Sequence, residues 1–156
     1  MKKVALLVLV ILLVGTLASA ASKLDTMPVL LDGDGVRVLL DKAVIEKSYS
    51  DDEDTKLTLY IVIDNKNNKD LTLTNSSTVF DDWEVESNCY IDVKAGKKKK
   101  DTVTVHYEQA MIENFADVNI MTVHFNVIID DDIFNSKHPD PKPVSGNWLR
   151  QNIVRK

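Results

Sequence analysis

Apolar and polar residues alternate along most of this chain, in runs separated by short polar breaks. The clearest runs lie at 36–40, 57–64, 71–74, 83–93, 102–107 and 121–129. A period of two places neighbouring side chains on opposite faces of a β-strand, so that one face meets the core and the other meets water. The breaks are rich in turn-forming residues, as at 32–35 (Asp-Gly-Asp-Gly). The pattern therefore predicts an antiparallel β-sandwich or β-barrel.

Three segments depart from the alternation. Residues 109–115 place Met111 and Phe115 four positions apart, which predicts a short helix of about two turns. The segment 138–143 contains three prolines, which cannot donate backbone hydrogen bonds, so it is expected to be a loop or an extended spacer. The stretch 148–154 is expected to form a final strand.

The predicted strands number about seven, which matches an immunoglobulin-like sandwich. This all-β domain is expected to cover residues 35–156 and to include one short helix. A flexible N-terminal segment is expected at 21–34.

The first twenty residues have the layout of a secretory signal peptide. Two lysines follow the first methionine, residues 4–14 are uninterrupted apolar residues, and residues 18–20 (Ala-Ser-Ala) suit cleavage. The apolar run is shorter than the roughly 20 residues that a membrane-spanning helix needs. We therefore expect cleavage after Ala20, a secreted or extracellular protein, and no transmembrane segment in the mature chain.

The charge of the expected mature chain excludes some classes of partner. The leader holds two of the nineteen basic residues and none of the twenty-four acidic ones, so the remaining 136 residues carry a formal charge of −7. Nucleic acids and anionic lipids are disfavoured, because both require a basic surface. Cys89 is the only cysteine, which excludes an intramolecular disulfide. It lies on the apolar side of its strand and is expected to be buried.

Three segments in a fixed order carry a family resemblance. They are YIVIDNK at 60–66 followed by KDLTL at 69–73, the hairpin VKAGKK at 93–98 leading into DTVTV at 101–105, and the short helix followed by VNI at 118–120 and a long strand to residue 129. This order resembles the immunoglobulin-like domains of secreted and surface proteins of Gram-positive bacteria, over roughly residues 35–132. The resemblance implies export and a sandwich fold, but no defined activity and no functional residue. The chain has Asp81-Asp82-Trp83 where a short Asn-Gly turn is expected, so a function placed in that loop does not transfer.

Acidic loops and histidines are the candidate metal ligands. Asp32 and Asp34 begin an Asp-x-Asp-Gly sequence like that of a calcium loop, but position twelve is Ala43 rather than glutamate. Turn propensity alone accounts for this sequence, so no cofactor is expected and Ca²⁺ is the alternative. His106 and His124 lie on polar strand faces and would meet if their strands paired, although zinc would need a third ligand.

Basic and aromatic residues are the candidate binding groups. Lys97 and Lys99 belong to a run of four lysines that could contact an anionic wall polymer. A solvated hairpin that terminates an edge strand is the simpler interpretation of that run. Trp83 shares the apolar phase of its strand and is expected to pack in the core. Trp148 lies in a polar tail segment and is the better candidate for an exposed contact.

Three functions remain open, in order of preference. The first is a secreted, non-catalytic binding or adhesion module of the bacterial envelope, with a protein or a cell-wall polymer as partner. The second is a calcium-stabilised extracellular structural module. The third is a hydrolase with paired carboxylates such as Asp81 and Asp82, although adjacent strand positions point to opposite faces. No nucleophile elbow, phosphate-binding loop or zinc-binding helix motif supports an enzyme.

Overall fold

The computed structural model describes residues 23–46, 54–108 and 117–155. These residues form nine strands: β1 (Val29–Gly33), β2 (Val36–Glu46), β3 (Asp54–Asn65), β4 (Leu71–Phe80), β5 (Trp83–Val93), β6 (Lys98–Glu108), β7 (Ile120–Ile129), β8 (Val144–Ser145) and β9 (Ile153–Arg155). They also form one helix, α1 (Gly146–Asn152), and two 3₁₀ turns, Lys23–Thr26 and Ile133–Asn135. The all-β fold is as predicted. The expected count of about seven strands is too low, because β1, β8 and β9 are too short to show an alternating pattern.

Two sheets face each other across the core. The first has the order β1-β2-β3-β6, with β9 parallel to β2, and the second has the order β5-β4-β7-β8. Within the described residues, β5 also pairs with β6, through Ser87↔Val105 and Asn88↔Thr104. This short pairing joins the two sheets along one side of the sandwich.

The proline-containing tail closes the other side. Lys137 pairs with Val127 of β7, and Pro141 then bridges to Leu31 of β1. The prolines lack N–H groups, so the tail cannot pair continuously with β7 and passes across to β1. The predicted loop or spacer is thus extended chain that bridges both sheets, and the fold approaches a closed barrel.

The inward faces predicted from the alternation form the core. In β3, Leu57, Leu59 and Ile63 are fully buried. The second sheet contributes Leu71, Leu73, Ile91, Val93, Val123, Phe125 and Val127. Burying one such side chain stabilises the fold by roughly 1.5–3 kcal/mol, so the inward positions dictate how the sheets face each other.

The C-terminal segment contradicts the prediction of a strand over 148–154. It forms α1, and Ile153–Arg155 alone continue as β9 beside β2. The Ser145 hydroxyl caps the helix by accepting the N–H of Trp148 at 3.3 Å, which satisfies one of its free donors. Leu149 is fully buried in the core. A capped turn that buries a leucine outweighs the weak strand pattern of this segment.

Strand β1 corrects the expectation of a flexible segment at 21–34. Leu30 and Leu31 are fully buried, and β1 forms a hairpin with β2. The hairpin turns at Asp34 and Gly35, whose φ angles of 51° and 73° both lie in the left-handed region. These are angles of a type I′ turn, which suits the twist of two paired strands.

Asn65, at the end of β3, holds two chain connections together through the hydrogen bonds of its side chain. It is fully buried, and its Nδ2 donates to the carbonyls of Lys69, Val93 and Lys94 at 3.0, 3.1 and 3.2 Å. Its Oδ1 accepts the N–H of Asn67 at 3.0 Å. The β3–β4 connection is thereby held against the turn between β5 and β6.

Two predictions concern segments that the structure does not describe. The signal peptide at 1–20 and the helix at 109–115 both lie outside the described residues. Among the residues that are described, no helix has the length and apolar character needed to cross a bilayer.

Candidate functional site

The outward side chains of the second sheet form four rows across β5, β4 and β7. The rows are Asp92, Thr72 and Ile128; Tyr90, Thr74 and Asn126; Glu86, Ser77 and His124; and Glu84, Val79 and Thr122. Three carboxylates are present and no lysine or arginine, so the formal charge is −3 with histidine neutral. We call these twelve residues the acidic face.

A groove lies between the acidic face and the tail, with a cavity volume of about 430 Å³. Glu84, His124 and Ser77 line it from the sheet, and His138 and Asp140 line it from the tail. This volume falls in the range of roughly 300–1,000 Å³ that is typical of ligand sites. The groove therefore offers carboxylate, imidazole and hydroxyl groups to a polar ligand.

The orientation of one groove histidine is fixed by a hydrogen bond. Nδ1 of His138 lies 2.6 Å from Oδ1 of Asn126. An amide oxygen accepts and cannot donate, so Nδ1 carries the proton in this contact. Among the residues that the structure describes, none forms a hydrogen bond with Nε2 of His138.

A second depression of about 290 Å³ lies at the other end of the acidic face. Tyr90 and Asp92 line it, and the Tyr90 side chain is 75 % exposed. At its rim, Asp70 accepts the Lys94 ammonium at 2.6 Å and the Ala95 N–H at 2.9 Å. The Lys94 hydrogen bond, followed by that of Ala95, holds the pKa of Asp70 below its usual value.

A β-bulge interrupts β4 beside the groove. The register with both neighbouring strands shifts between Asn75 and Ser77. On the core side of the bulge, Ser87 Oγ lies against the Nδ2 of Asn75 and 2.9 Å from the hydroxyl of Thr78. Oδ1 of Asn75 is buried without a hydrogen-bond partner among the described protein atoms. Bulges recur next to functional sites because they redirect side chains locally.

The outward side of the first sheet has the opposite charge. Its rows are Arg37, Asp64 and Lys98; Leu39, Val62 and Lys100; Lys42, Tyr60 and Thr102; Val44, Thr58 and Thr104; and Glu46, Lys56 and His106. Five cationic side chains and two carboxylates leave a formal charge of +3. We call these fifteen residues the basic face. Lys42 Nζ lies 4.3 Å from the Tyr60 ring centroid, a cation–π contact.

The two tryptophans have the reverse of their predicted environments. Trp83 is 50 % exposed, so the prediction of core packing is wrong. Its phase is right, because it stands opposite buried Phe80, but this is the last pair of the hairpin at the rim of the sheet. Trp148 is partly buried on α1 and packs against the core, which corrects the expectation of an exposed contact.

The lysine run divides between two sides of β6. Lys98 and Lys100 belong to the basic face, whereas the predicted binding residue Lys99 occupies the alternate position of β6 and Lys97 directly precedes the strand. Lys97 and Lys99 are exposed, and Nζ of Lys99 lies 3.1 Å from Asp101. Their role in binding stays a prediction.

The predicted calcium ligands contact cations of the protein. Asp32 lies 3.5 Å from Nε of Arg37, and Asp34 lies 3.0 Å from Nζ of Lys137. In the described part of the chain, no group of three or more His, Cys, Asp or Glu side chains is placed to hold a metal ion. Calcium binding by Asp32 and Asp34 stays a prediction.

The zinc site considered for His106 and His124 required their strands to pair, and these strands do not pair. Their strands β6 and β7 are separated by β5 and β4 in the strand order. Each histidine instead lies on a different outward face.

The carboxylate of Asp81 supports the backbone at the start of β7. It accepts the N–H of Asn119 at 3.1 Å and that of Ile120 at 2.9 Å. Asp81 itself has a φ of 53°, in the left-handed region that Asp tolerates in turns. The geometry gives this aspartate a structural role in the turn.

The thiol of Cys89 lies at the junction of the sheets. It is partly buried against the core, with Sγ 3.8 Å from the carbonyl oxygen of Leu73. Burial, with a smaller effect of Asp101, raises the pKa of Cys89 to about 12. The thiol is therefore protonated at neutral pH, unlike an activated nucleophile.

Sequence reasoning did not single out the acidic face as a site. The signal was present, because Glu84, Glu86 and Asp92 share the polar phase of one strand. The contribution of His138 could not be found this way, since only the fold brings the tail beside β7.

Comparisons with known proteins give fold neighbours. No family model matches the chain, and no curated protein matches its sequence. Among solved structures, a candidate lipoprotein (YcdA) of Bacillus subtilis is similar with a TM-score of 0.46 and 10% identity, over 79% of this chain and 41% of that one. The GAE domain of yeast GGA1 is similar with a TM-score of 0.42 and 16% identity, over 77% of this chain and 98% of that one. This chain thus spans less than half the length of the Bacillus protein.

Proposed function

We propose that this protein is an exported, non-catalytic binding module of immunoglobulin-like type, and that the acidic face is its binding surface. Its partner is a cationic region of a protein or an amine-bearing polymer, at the envelope of a Gram-positive bacterium. The proposal rests on the three carboxylates that follow one another along β5 beside the groove. The acidic face to which they belong contains no lysine or arginine.

The carboxylates of Glu84 and Glu86 are available to a partner. Both side chains are exposed, and neither forms a hydrogen bond or ion pair with the rest of the described protein. Their positions on β5 are two residues apart, so both point to the same side of the sheet. A partner with several positive charges can therefore contact both at once.

The expected affinity is modest and depends on salt. An exposed ion pair contributes roughly 0.2–1 kcal/mol, so a single charge would bind weakly. Several linked charges bind more tightly, because each contact after the first is intramolecular. Screening weakens such binding once the Debye length falls to about 8 Å at physiological salt.

Calorimetric titration with a hexalysine peptide tests the proposal. The double variant Glu84→Gln with Glu86→Gln should bind about two- to thirty-fold more weakly than the unmodified protein, which corresponds to the loss of two exposed ion pairs. The matched control, Asp32→Asn with Asp34→Asn, changes the net charge equally and should bind like the unmodified protein. Equal losses in both variants, or no binding at all, would contradict the proposal.

A further inference from the structure

The two outward faces complement each other in charge. The basic face carries Arg37, Lys42, Lys56, Lys98 and Lys100 against Asp64 and Glu46, whereas the acidic face carries carboxylates alone. Their formal charges of +3 and −3 lie on opposite sides of the sandwich, because each face is the outward side of one of two facing sheets.

The uncharged polar side chains of both faces are small. Thr102 and Thr104 are half-buried and lie between the lysines of the basic face, whereas Thr58 beside them is buried. Thr74 is half-buried on the middle strand of the acidic face, where Thr72 and Ser77 are buried. The half-buried hydroxyl groups can donate and accept hydrogen bonds across an interface.

We propose that the basic face of one copy of this protein docks on the acidic face of a second copy. The inference rests on the proposed function, because it uses the acidic face as the binding surface. Two acidic or two basic faces would repel each other, so the contact joins unlike surfaces. Such a heterologous contact leaves one free face at each end, and copies can add in an open-ended stack.

The size of the faces indicates a reversible association. Three strands about 4.8 Å apart and about ten residues long, at roughly 3.3 Å per residue, cover on the order of 450 Å². A stable interface buries about 800 Å² on each partner. The stack should therefore form at high protein concentration and low salt, and dissociate when salt screens the charges.

Sedimentation velocity with two neutralised variants tests this inference, using protein made from the full-length gene. One variant carries Lys98→Gln and Lys100→Gln, and the other carries Glu84→Gln and Glu86→Gln. At an ionic strength of about 10 mM, where the Debye length is about 30 Å, the unmodified protein should form species larger than a dimer as its concentration rises. Each variant alone should stay monomeric, since one of its faces is weakened.

The decisive sample is an equal mixture of the two variants. The intact acidic face of the first can dock on the intact basic face of the second, so the mixture should form a dimer and little that is larger. The control variant, Asp32→Asn with Asp34→Asn, leaves the acidic face intact and releases Arg37 of the basic face from Asp32, so it should associate at least as strongly as the unmodified protein.

Three results would overturn the inference: a monomeric unmodified protein, a monomeric mixture, or association of either variant alone. An unmodified protein that binds hexalysine yet stays monomeric would remove the self-docking inference and leave the proposed function standing. A protein that neither binds hexalysine nor associates would remove both.

Discussion

The two sheets have similar apolar inward faces, but their outward faces differ in charge. Both sheets present buried leucine, isoleucine and valine to a shared core. Outward, the first sheet presents five lysine or arginine side chains and the second presents three carboxylates. Folding constrains the inward positions strongly and the solvent-facing positions weakly, since surface substitutions usually change stability by about 0.5 kcal/mol or less. The difference between the faces is therefore the feature of this fold that bears most on function.

The two faces keep their positions only while the two sheets stay packed together. Among the substitutions proposed here, Asn65→Ala should destabilise this packing most. The substitution leaves the carbonyls of Lys69, Val93 and Lys94 without the amide that they share. Losing a buried group with several hydrogen bonds should lower the free energy of unfolding by about 2–4 kcal/mol. Urea denaturation measures the loss, with exposed Asn68→Ala as the control. Equal stability of the two variants would contradict the assigned role of Asn65.

Disturbing the close packing of α1 against the chain before β7 should have the next largest effect on stability. A Cβ added at Gly146 would lie 1.7 Å from the carbonyl oxygen of Val118, which is too close for any side chain. Gly146→Ala should therefore lower the free energy of unfolding by about 1–3 kcal/mol. In the control Gly33→Ala, the added Cβ has its nearest contact at 3.5 Å, with Pro139. A thermal melt of Gly146→Ala that matches that of Gly33→Ala would contradict this close approach.

Cys89 reports on the junction between the sheets. Its pKa, raised from 9.0 to about 12 by burial, leaves about a thousandth of the usual thiolate at pH 8. Labelling by a thiol-specific disulfide reagent should be slower by two to three orders of magnitude in the folded protein than in urea. Rates within about tenfold of each other would show that the junction is open.

Removing the charge of Asp70, at one end of the acidic face, should have the smallest effect on stability. Lys94 and the Ala95 N–H lower the pKa of Asp70 below 3.8 in the folded protein, so the carboxylate stabilises the fold above that pH. This contribution disappears as the pH falls through the lowered pKa. Asp70→Asn should thus cause a small loss of stability at pH 7 that vanishes in strongly acidic solution. A difference that grows on acidification would contradict the assignment.

The alternating pattern of the sequence was sufficient to predict the long strands and their inward faces. In β3 the predicted inward residues Leu57, Leu59, Ile61 and Ile63 are all buried, because a core of this kind selects apolar side chains directly. On the opposite side of the strand, Thr58 and Val62 are buried as well, against the expectation of a face that meets water. Three errors have physical causes outside the pattern. Trp83 has the right phase but lies at the rim, Trp148 lies in the first turn of a capped helix, and β1 is stabilised by its type I′ turn. The side of a strand on which a residue lies is set by the local alternation. How deeply that residue is buried depends instead on whether the opposite sheet covers it.

The candidate site was only half visible in the sequence. The polar phase of β5 already contained Glu84 and Glu86, but the bulge at Asn75 and the approach of His138 follow from tertiary structure. Whether the strands of His106 and His124 pair could not be read from the sequence for the same reason, because strand order is set by the whole core.

Mapping of amide chemical shifts by NMR during titration with hexalysine tests the central claim most directly. The shifts should concentrate on the outward residues of β5, β4 and β7, which include Glu84, Glu86 and His124. The basic face, Lys98 and Lys100 included, should remain unperturbed. Shifts centred on the first sheet, or scattered evenly over the protein, would contradict the assignment of the acidic face as the binding surface.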